Sequence, residues 1–115
     1  MGESKALYAA TEHEIQASIL QYLELVGAVA VRVNAGMTVI QGEGGKRRAV
    51  RGAPAGTADI LACWHGRYIA IECKTHRGKT TPAQDDFLNR VRAAGGIAIV
   101  ARCAEDVEQM LEALI

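Results

Sequence analysis

Long hydrophobic runs are missing from this 115-residue chain. No stretch of ~18 apolar residues could cross a bilayer as a helix, and no secretory signal pattern opens the sequence. Aromatic residues make up only 4% of it, so the core must be aliphatic, built from Ala, Val, Ile and Leu. Cysteines are three, Cys63, Cys73 and Cys103, an odd number without a C-x-x-C pair. That usage fits a reducing cytoplasm and argues against a disulfide framework. An excess of charge of either sign is also lacking, since 13 basic residues balance 13 acidic ones. Bulk charge therefore predicts no polyanionic partner, and nothing suggests a membrane.

What is present is a globular composition, half hydrophobic and 23% charged, of a length that suits one domain. Residues 1–10 read as a leader and 11–115 as the domain. The neutral average hides local segregation. Lys46, Arg47, Arg48 and Arg51 cluster, Lys74, Arg77 and Lys79 follow, and acids gather at both ends, including Glu105, Asp106, Glu108 and Glu112. Such a pattern can place a basic face on a neutral protein.

Thr11 and Glu14 form a capping box ahead of Ile15, Ile19, Leu20, Leu23 and Val26, which predicts a first helix ending at Gly27. Ala28–Val33 and Met37–Gln41 read as strands, Lys46–Arg51 as a candidate further exposed strand, and Gly52–Thr57 as a loop. Asp59–Trp64 and Arg67–Lys74 flank His65-Gly66, a two-residue turn that tolerates positive φ. Thr81-Pro82-Ala83-Gln84 opens a second helix with a second capping box, and Phe87, Leu88, Val91 and Ala94 mark its inner face before Gly95-Gly96. Ile97–Arg102 is a last strand and Glu105–Leu114 a closing helix. The expected order is α-β-β-β-β-α-β-α.

Counting outwards from His65-Gly66 pairs Trp64 with Arg67 and, step by step, Ile60 with Ile71; Asp59 then falls opposite Glu72. Directly opposed side chains sit roughly 5 Å apart at Cβ on one face. Two carboxylates so placed repel unless a cation lies between them, and hard divalent ions prefer such oxygen ligands. Alternation adds Lys74 to the same face and turns Ile71 and Cys73 to the other. Two acids and an ammonium are what phosphodiester hydrolysis requires: a metal polarises the phosphoryl oxygen and acidifies water, while the lysine offsets transition-state charge. The bland alternative makes Asp59 a turn cap and Glu72 and Lys74 a solvated strand face.

Two other patterns are weaker. G-E-G-G-K-R-R lacks the glycine five before Gly-Lys, where Ile40 stands, and no Ser or Thr follows Lys46. It is not a nucleotide-binding loop; a flexible basic hairpin on a DNA backbone fits better. Cys63, His65, Cys73 and His76 raise a structural zinc site, but the spacing is loose and Cys73 is expected to face the core.

"GTADILACWHGRYIAIECK" resembles the core of the PD-(D/E)XK nuclease superfamily, and the chain from about Thr11 onwards resembles its VRR-NUC domain, which occurs alone in phages and bacteria. "TEHEIQASILQYL", "RVNAG", "GTADI", "IECK" and "TTPAQDDFL" carry the likeness in order. The resemblance implies an α/β, restriction-endonuclease-like core with a central mixed sheet flanked by helices, and Mg²⁺- or Mn²⁺-dependent DNA cleavage. It matches Asp59 and Glu72 to the metal-binding acids, the Cys73 carbonyl to a further ligand and Lys74 to the catalytic lysine. Glu12 matches the acid of the first helix, although Glu14 competes for that role, and Gln84 a glutamine heading the second helix. Asn34 would line the DNA side, and Lys46, Arg47, Arg48, Arg51, Arg77 and Lys79 would meet the backbone. A homodimer acting on branched DNA, a Holliday junction or flap, in a bacterial or phage-infected cell is the extended expectation. Ala58 departs from the family, which usually has proline there. The alternative is a DNA-binding module without catalysis.

Overall fold

The structure is a computed structural model that describes residues 9–115, so most of the expected leader lies outside the described residues. In chain order the elements are α1 (Glu12–Leu25), β1 (Val29–Arg32), β2 (Met37–Gln41), β3 (Arg47–Arg51), β4 (Ile60–Trp64), β5 (Arg67–Cys73), α2 (Pro82–Ala93), β6 (Ile97–Ala101) and α3 (Ala104–Glu112), with a 3₁₀ turn at Glu43–Gly45. The order agrees with the expectation once the candidate strand at Lys46–Arg51 is counted as β3. Boundaries move by one or two residues. Helix α3 starts earlier than expected because Cys103, extended at φ −162°, is its N-cap.

Both predicted capping boxes form. The Thr11 hydroxyl accepts from Glu14 N at 3.2 Å, and Glu14 Oε1 accepts from Thr11 N at 2.9 Å. Thr81 and Gln84 repeat the exchange at 3.2 and 2.9 Å, with Pro82 as first residue of α2. Each box satisfies two donors that a helix start otherwise leaves orphaned.

Four strands form a mixed sheet in the order β1-β4-β5-β6. The first three run antiparallel, whereas β6 is parallel to β5 and reached through α2. Helices cover both faces. On one, Ile15, Ile19 and Leu23 of α1 and Val107 and Leu111 of α3 pack on Ile60, Ala62, Ile69, Ile71 and Cys73. On the other, Leu88 and Val91 of α2 meet Ala58, Ala70 and Ala98. Full burial of each aliphatic side chain is worth roughly 1.5–3 kcal/mol, so packing rather than helix propensity supplies most of the stability of α1. Trp64, on the first face, donates its indole N–H to the Val26 carbonyl at 3.1 Å and ties β4 to the end of α1.

β2 and β3 make a separate two-stranded sheet. Its base is bound to the segment after β1: Ala53 N donates to Asn34 O at 2.9 Å, and Gly36 N to Ala53 O at 2.8 Å. The arginines of this hairpin divide between its faces. Arg51 pairs with Met37 and Arg47 with Gln41, so these two share one face, while Arg48, paired with Ile40, lies on the other.

The loop that delivers Asp59 depends on Gly56. Its φ is +90°, and a Cβ there would come within 2.5 Å of the Ala83 carbonyl at the head of α2. Gly27 has a similar φ of +85° but open space around it. Gly56→Ala should therefore destabilise by more than the ~1 kcal/mol typical of a strained Gly→Ala change, and Gly27→Ala by about that amount alone. Thermal melts should place Gly56→Ala lowest, at least about 4–8 °C below the parent chain.

Candidate functional site

The turn between β4 and β5 has positive φ at both central residues, +50° at His65 and +75° at Gly66. This is the backbone of a type I′ hairpin, and it locks the register. Trp64 pairs with Arg67, Cys63 with Tyr68, Ala62 with Ile69, Leu61 with Ala70 and Ile60 with Ile71, as counted from the sequence. The ladder ends there and Asp59 takes over with its side chain. Its Oδ2 accepts from Cys73 N at 2.8 Å, while its main-chain carbonyl accepts from Val33 N at 2.8 Å. Asp59 is thus held between β1 and β5, half-buried, on the face that Glu72 also occupies.

Glu72 is 1% exposed, and its Oε1 is buried without a hydrogen-bond partner. Its Oε2 lies 3.6 Å from Lys74 Nζ, itself largely buried. Burial pushes the Glu72 carboxyl up from 4.5 to about 8, and the neighbouring Asp59 carboxylate adds to the rise by its charge and as an acceptor for the protonated form; Lys74 pulls the other way and Glu12 adds to the rise. A single ammonium does not neutralise this corner.

Cys73 has its side chain in the core, as alternation predicts. Burial, with Asp59, Glu72 and Glu12 nearby, pushes its thiol up to about 12. The thiol therefore stays protonated, and only the main chain of Cys73 can offer a donor. Its carbonyl leaves an extended strand on the side of its N–H, which is the side of Asp59. Glu12, the first residue of α1, is felt by both Glu72 and Cys73 through its charge, whereas the Glu14 carboxylate holds the helix cap. Among the described residues no three His, Cys, Asp or Glu side chains come together as a metal-holding group. The close pair is Asp59 and Glu72, with the Cys73 carbonyl as the adjoining oxygen.

The remaining expected residues lie further out. Gln84 is half-buried and its side-chain oxygen is engaged at the α2 cap. Lys46, Arg47, Arg48, Arg51, Asn34, Arg77 and Lys79 are exposed. Cys63 and Cys73 fall on opposite faces of the sheet, because Cys63 pairs with Tyr68 and Cys73 follows Ile71 in the core. One ion cannot join them.

Sequence reasoning missed two arginines. Arg32 Nη1 lies 3.4 Å from His13 Nδ1 and 3.5 Å from Gln16 Oε1, a turn away from Glu12. Arg102 Nη1 donates to the carbonyls of Thr75, His76 and Gly78. The sequence signal for Arg102 was only its place at the end of an apolar strand; the parallel pairing of that strand with β5 is what brings its partners near.

The sequence matches no family model and no curated protein. Among solved structures, one titled "VRR_NUC domain" superposes with a TM-score of 0.62 over 90% of this chain and 97% of that one, at 22% identity. The fold is that of a VRR_NUC domain. The VRR_NUC fold is the central mixed sheet between helices that the sequence motifs implied. Among the described residues no helix is long and apolar enough to cross a membrane.

The Glu72 shift has a defined sign. A carboxyl raised in the folded state binds its proton more tightly folded than unfolded, so stability is greatest near or below pH 4.5 as far as this group is concerned. It falls as pH rises through the window from 4.5 to about 8. In metal-free buffer, Tm should decline across that window relative to Glu72→Gln, whose amide carries no charge. Parallel melting curves for the two proteins between pH 5 and 8 would contradict this assignment.

Proposed function

We propose that this protein is a divalent-metal-dependent DNA endonuclease that hydrolyses phosphodiester bonds. The observation that carries the reading is the buried, partnerless Oε1 of Glu72 beside the Asp59 carboxylate. Such an oxygen costs free energy unless something positive meets it. An Mg²⁺ or Mn²⁺ ion fits this donor set, since both take carboxylate and carbonyl oxygens. Asp59, Glu72 and the Cys73 carbonyl would hold it, with Glu12 contributing. When bound, such an ion supplies Lewis-acid polarisation of a phosphoryl oxygen and lowers the pKa of water.

The protein's own groups do the rest. The N–H of Cys73 fixes the Asp59 carboxylate in one orientation. Packing around Glu72 excludes water and strengthens every charge interaction within the site. Lys74 keeps an ammonium 3.6 Å from Glu72, where it can orient an attacking water and offset the negative charge that builds on the phosphoryl group. Gln84, at the head of α2, borders this arrangement in the proposal. The exposed arginines of β3, with Lys46, Asn34, Arg77 and Lys79, would bind the DNA backbone, which supplies affinity without reading sequence.

The finer reading is cleavage of branched DNA, a Holliday junction or flap, during replication or repair. A chain of 115 residues spans only a short length of duplex, and two copies in a homodimer would present two such sites to a junction. The three unpaired cysteines suit the cytoplasm of a bacterial or phage-infected cell.

A panel of linear, flap and four-way substrates with Mg²⁺ or Mn²⁺ tests the activity, and a mass measurement in solution tests the assembly. Asp59→Asn and Lys74→Ala should each lower cutting by about 10²-fold or more while DNA binding survives. Binding without cutting by the unmodified chain, under either ion, identifies the non-catalytic module instead.

The division of arginines in the hairpin gives a second test. Replacing Arg47 and Arg51 together should reduce the slope of log K against log salt by about 2, roughly 0.9 for each phosphate left without its cation. Arg48→Ala, on the other face, should lower that slope by about 0.9 as well, and an unchanged slope would confine the contact to the face of Arg47 and Arg51. Filter-binding or anisotropy titrations from low to moderate salt measure it.

A further inference from the structure

Lys74 stands where β5 has ended, and its main-chain N–H makes the last bond of the parallel ladder, to Ala101 O at 3.0 Å. Beyond it the chain turns tightly through Thr75-His76-Arg77-Gly78, closed by Gly78 N donating to Thr75 O at 3.0 Å. This turn rests on the lysine. A Cβ built on Gly78 would lie 3.4 Å from both Cβ and Cδ of Lys74, so the turn backbone flanks the aliphatic stem that carries the ammonium.

One side chain holds the turn together. Arg102 Nη1 donates to Thr75 O at 2.5 Å, to Gly78 O at 2.8 Å and to His76 O at 3.3 Å. Three carbonyl oxygens of a four-residue turn converge on a single charged nitrogen, and bonds from a charged donor are stronger than neutral ones. Arg102 is fixed in turn through its backbone, because its N–H donates to Asp106 Oδ2 at 2.8 Å in the first turn of α3. A chain of contacts thus runs from α3 through Arg102 and the turn to Lys74.

We propose that Arg102 is a positioning residue for Lys74, clamping the 75–78 turn against the lysine stem so that its ammonium stays over Glu72. This rests on the cleavage reading above, in which Lys74 acts on the reacting phosphate. Arg102 itself touches no substrate and is not a catalytic residue. Loss of the clamp frees the turn, and misplacement of a reacting group by about 1 Å can cost on the order of 10²-fold in rate.

Three variants and two readouts test this. Arg102→Met keeps much of the stem and removes every donor. Arg102→Lys restores three donors on a stem one bond shorter. In the nicking assay Arg102→Met should lower kcat by at least about tenfold with KM changed less than about threefold, and Arg102→Lys should fall between it and the parent. Independently of activity, the ¹³Cε resonance of Lys74, assigned by its loss in Lys74→Gln, should shift and broaden in Arg102→Met and stay near its parent position in Arg102→Lys. Should Arg102→Met not fold, Gly78→Ala places a methyl 3.4 Å from Cβ and Cδ of the same stem and 3.2 Å from Thr75 Oγ1, and should move the same resonance. An unmoved Lys74 signal in a folded variant, or a Lys substitution as damaging as Met, overturns the proposal. A parent chain that cuts no DNA while the Lys74 signal still responds refutes the cleavage reading and leaves the positioning intact.

Discussion

Two carboxylates facing each other across the end of a hairpin are the constraint around which the rest of the structure is arranged. Left alone, Asp59 and Glu72 would repel and open the ladder. The hairpin answers by register. The left-handed backbone of His65 and Gly66 sets which residues pair, and strand period does the remainder. A slip of one residue would send Glu72 into the aliphatic core and bring Ile71 or Cys73 to the site. The turn therefore governs chemistry at the opposite end of the strands. The packed faces hold that register, because Ile69, Ile71 and Cys73 are wholly buried under α1 and α3. The aliphatic core demanded by the scarcity of aromatics thus has a role in the site: it keeps a buried, partly unsatisfied acid from rearranging.

Local chemistry made much of this legible. Thr11 and Glu14, Thr81 and Gln84, and His65-Gly66 each specify their structure within four residues, so the helix starts and the decisive register could be read directly. The opposition of Asp59 and Glu72 followed by counting. The strand order could not be counted. That β1 lies beside β4, and that β2 and β3 leave the main sheet altogether, depends on contacts between distant segments. Alternation alone puts Arg47 and Arg51 on one face and Arg48 on the other; what it could not give is that their strand pairs with β2 apart from the main sheet. Arg102 stayed hidden for the same reason. Its partners lie 24 to 27 residues earlier in the chain, and only the parallel pairing of β5 and β6 brings them together. The acid of the first helix is an intermediate case. Capping chemistry occupies Glu14 and leaves Glu12 to contribute to the site electrostatically.

The neutral composition also resolves in space. Three acids, Asp59, Glu72 and Glu12, come together where β4, β5 and the start of α1 meet, others line α3, and a cluster of basic residues lies on the β2–β3 hairpin and the 75–79 turn. A polyanion attracted to those outer cations is repelled by the inner acids, so the proposed cleavage would need a positive counter-charge at the site itself. Lys74 is the link between the two regions. It belongs to the acidic corner by contact with Glu72 and to the basic turn by sequence.

The charge count of that corner explains why one lysine cannot complete it. Asp59, Glu72 and Glu12 bring three acids against one ammonium, and the Glu72 carboxyl is still driven up to about 8. Two negative charges remain to be balanced if all three acids ionise. A single divalent cation balances two, whereas a second lysine would balance one. Protonation of Glu72 is the other way to relieve the field, and it removes the very oxygen charge on which the proposed chemistry depends. In the proposed site, protons and a divalent ion would therefore compete for the same partnerless oxygen. That competition follows from burying Glu72 opposite Asp59, the same geometric step that the two-residue turn imposes.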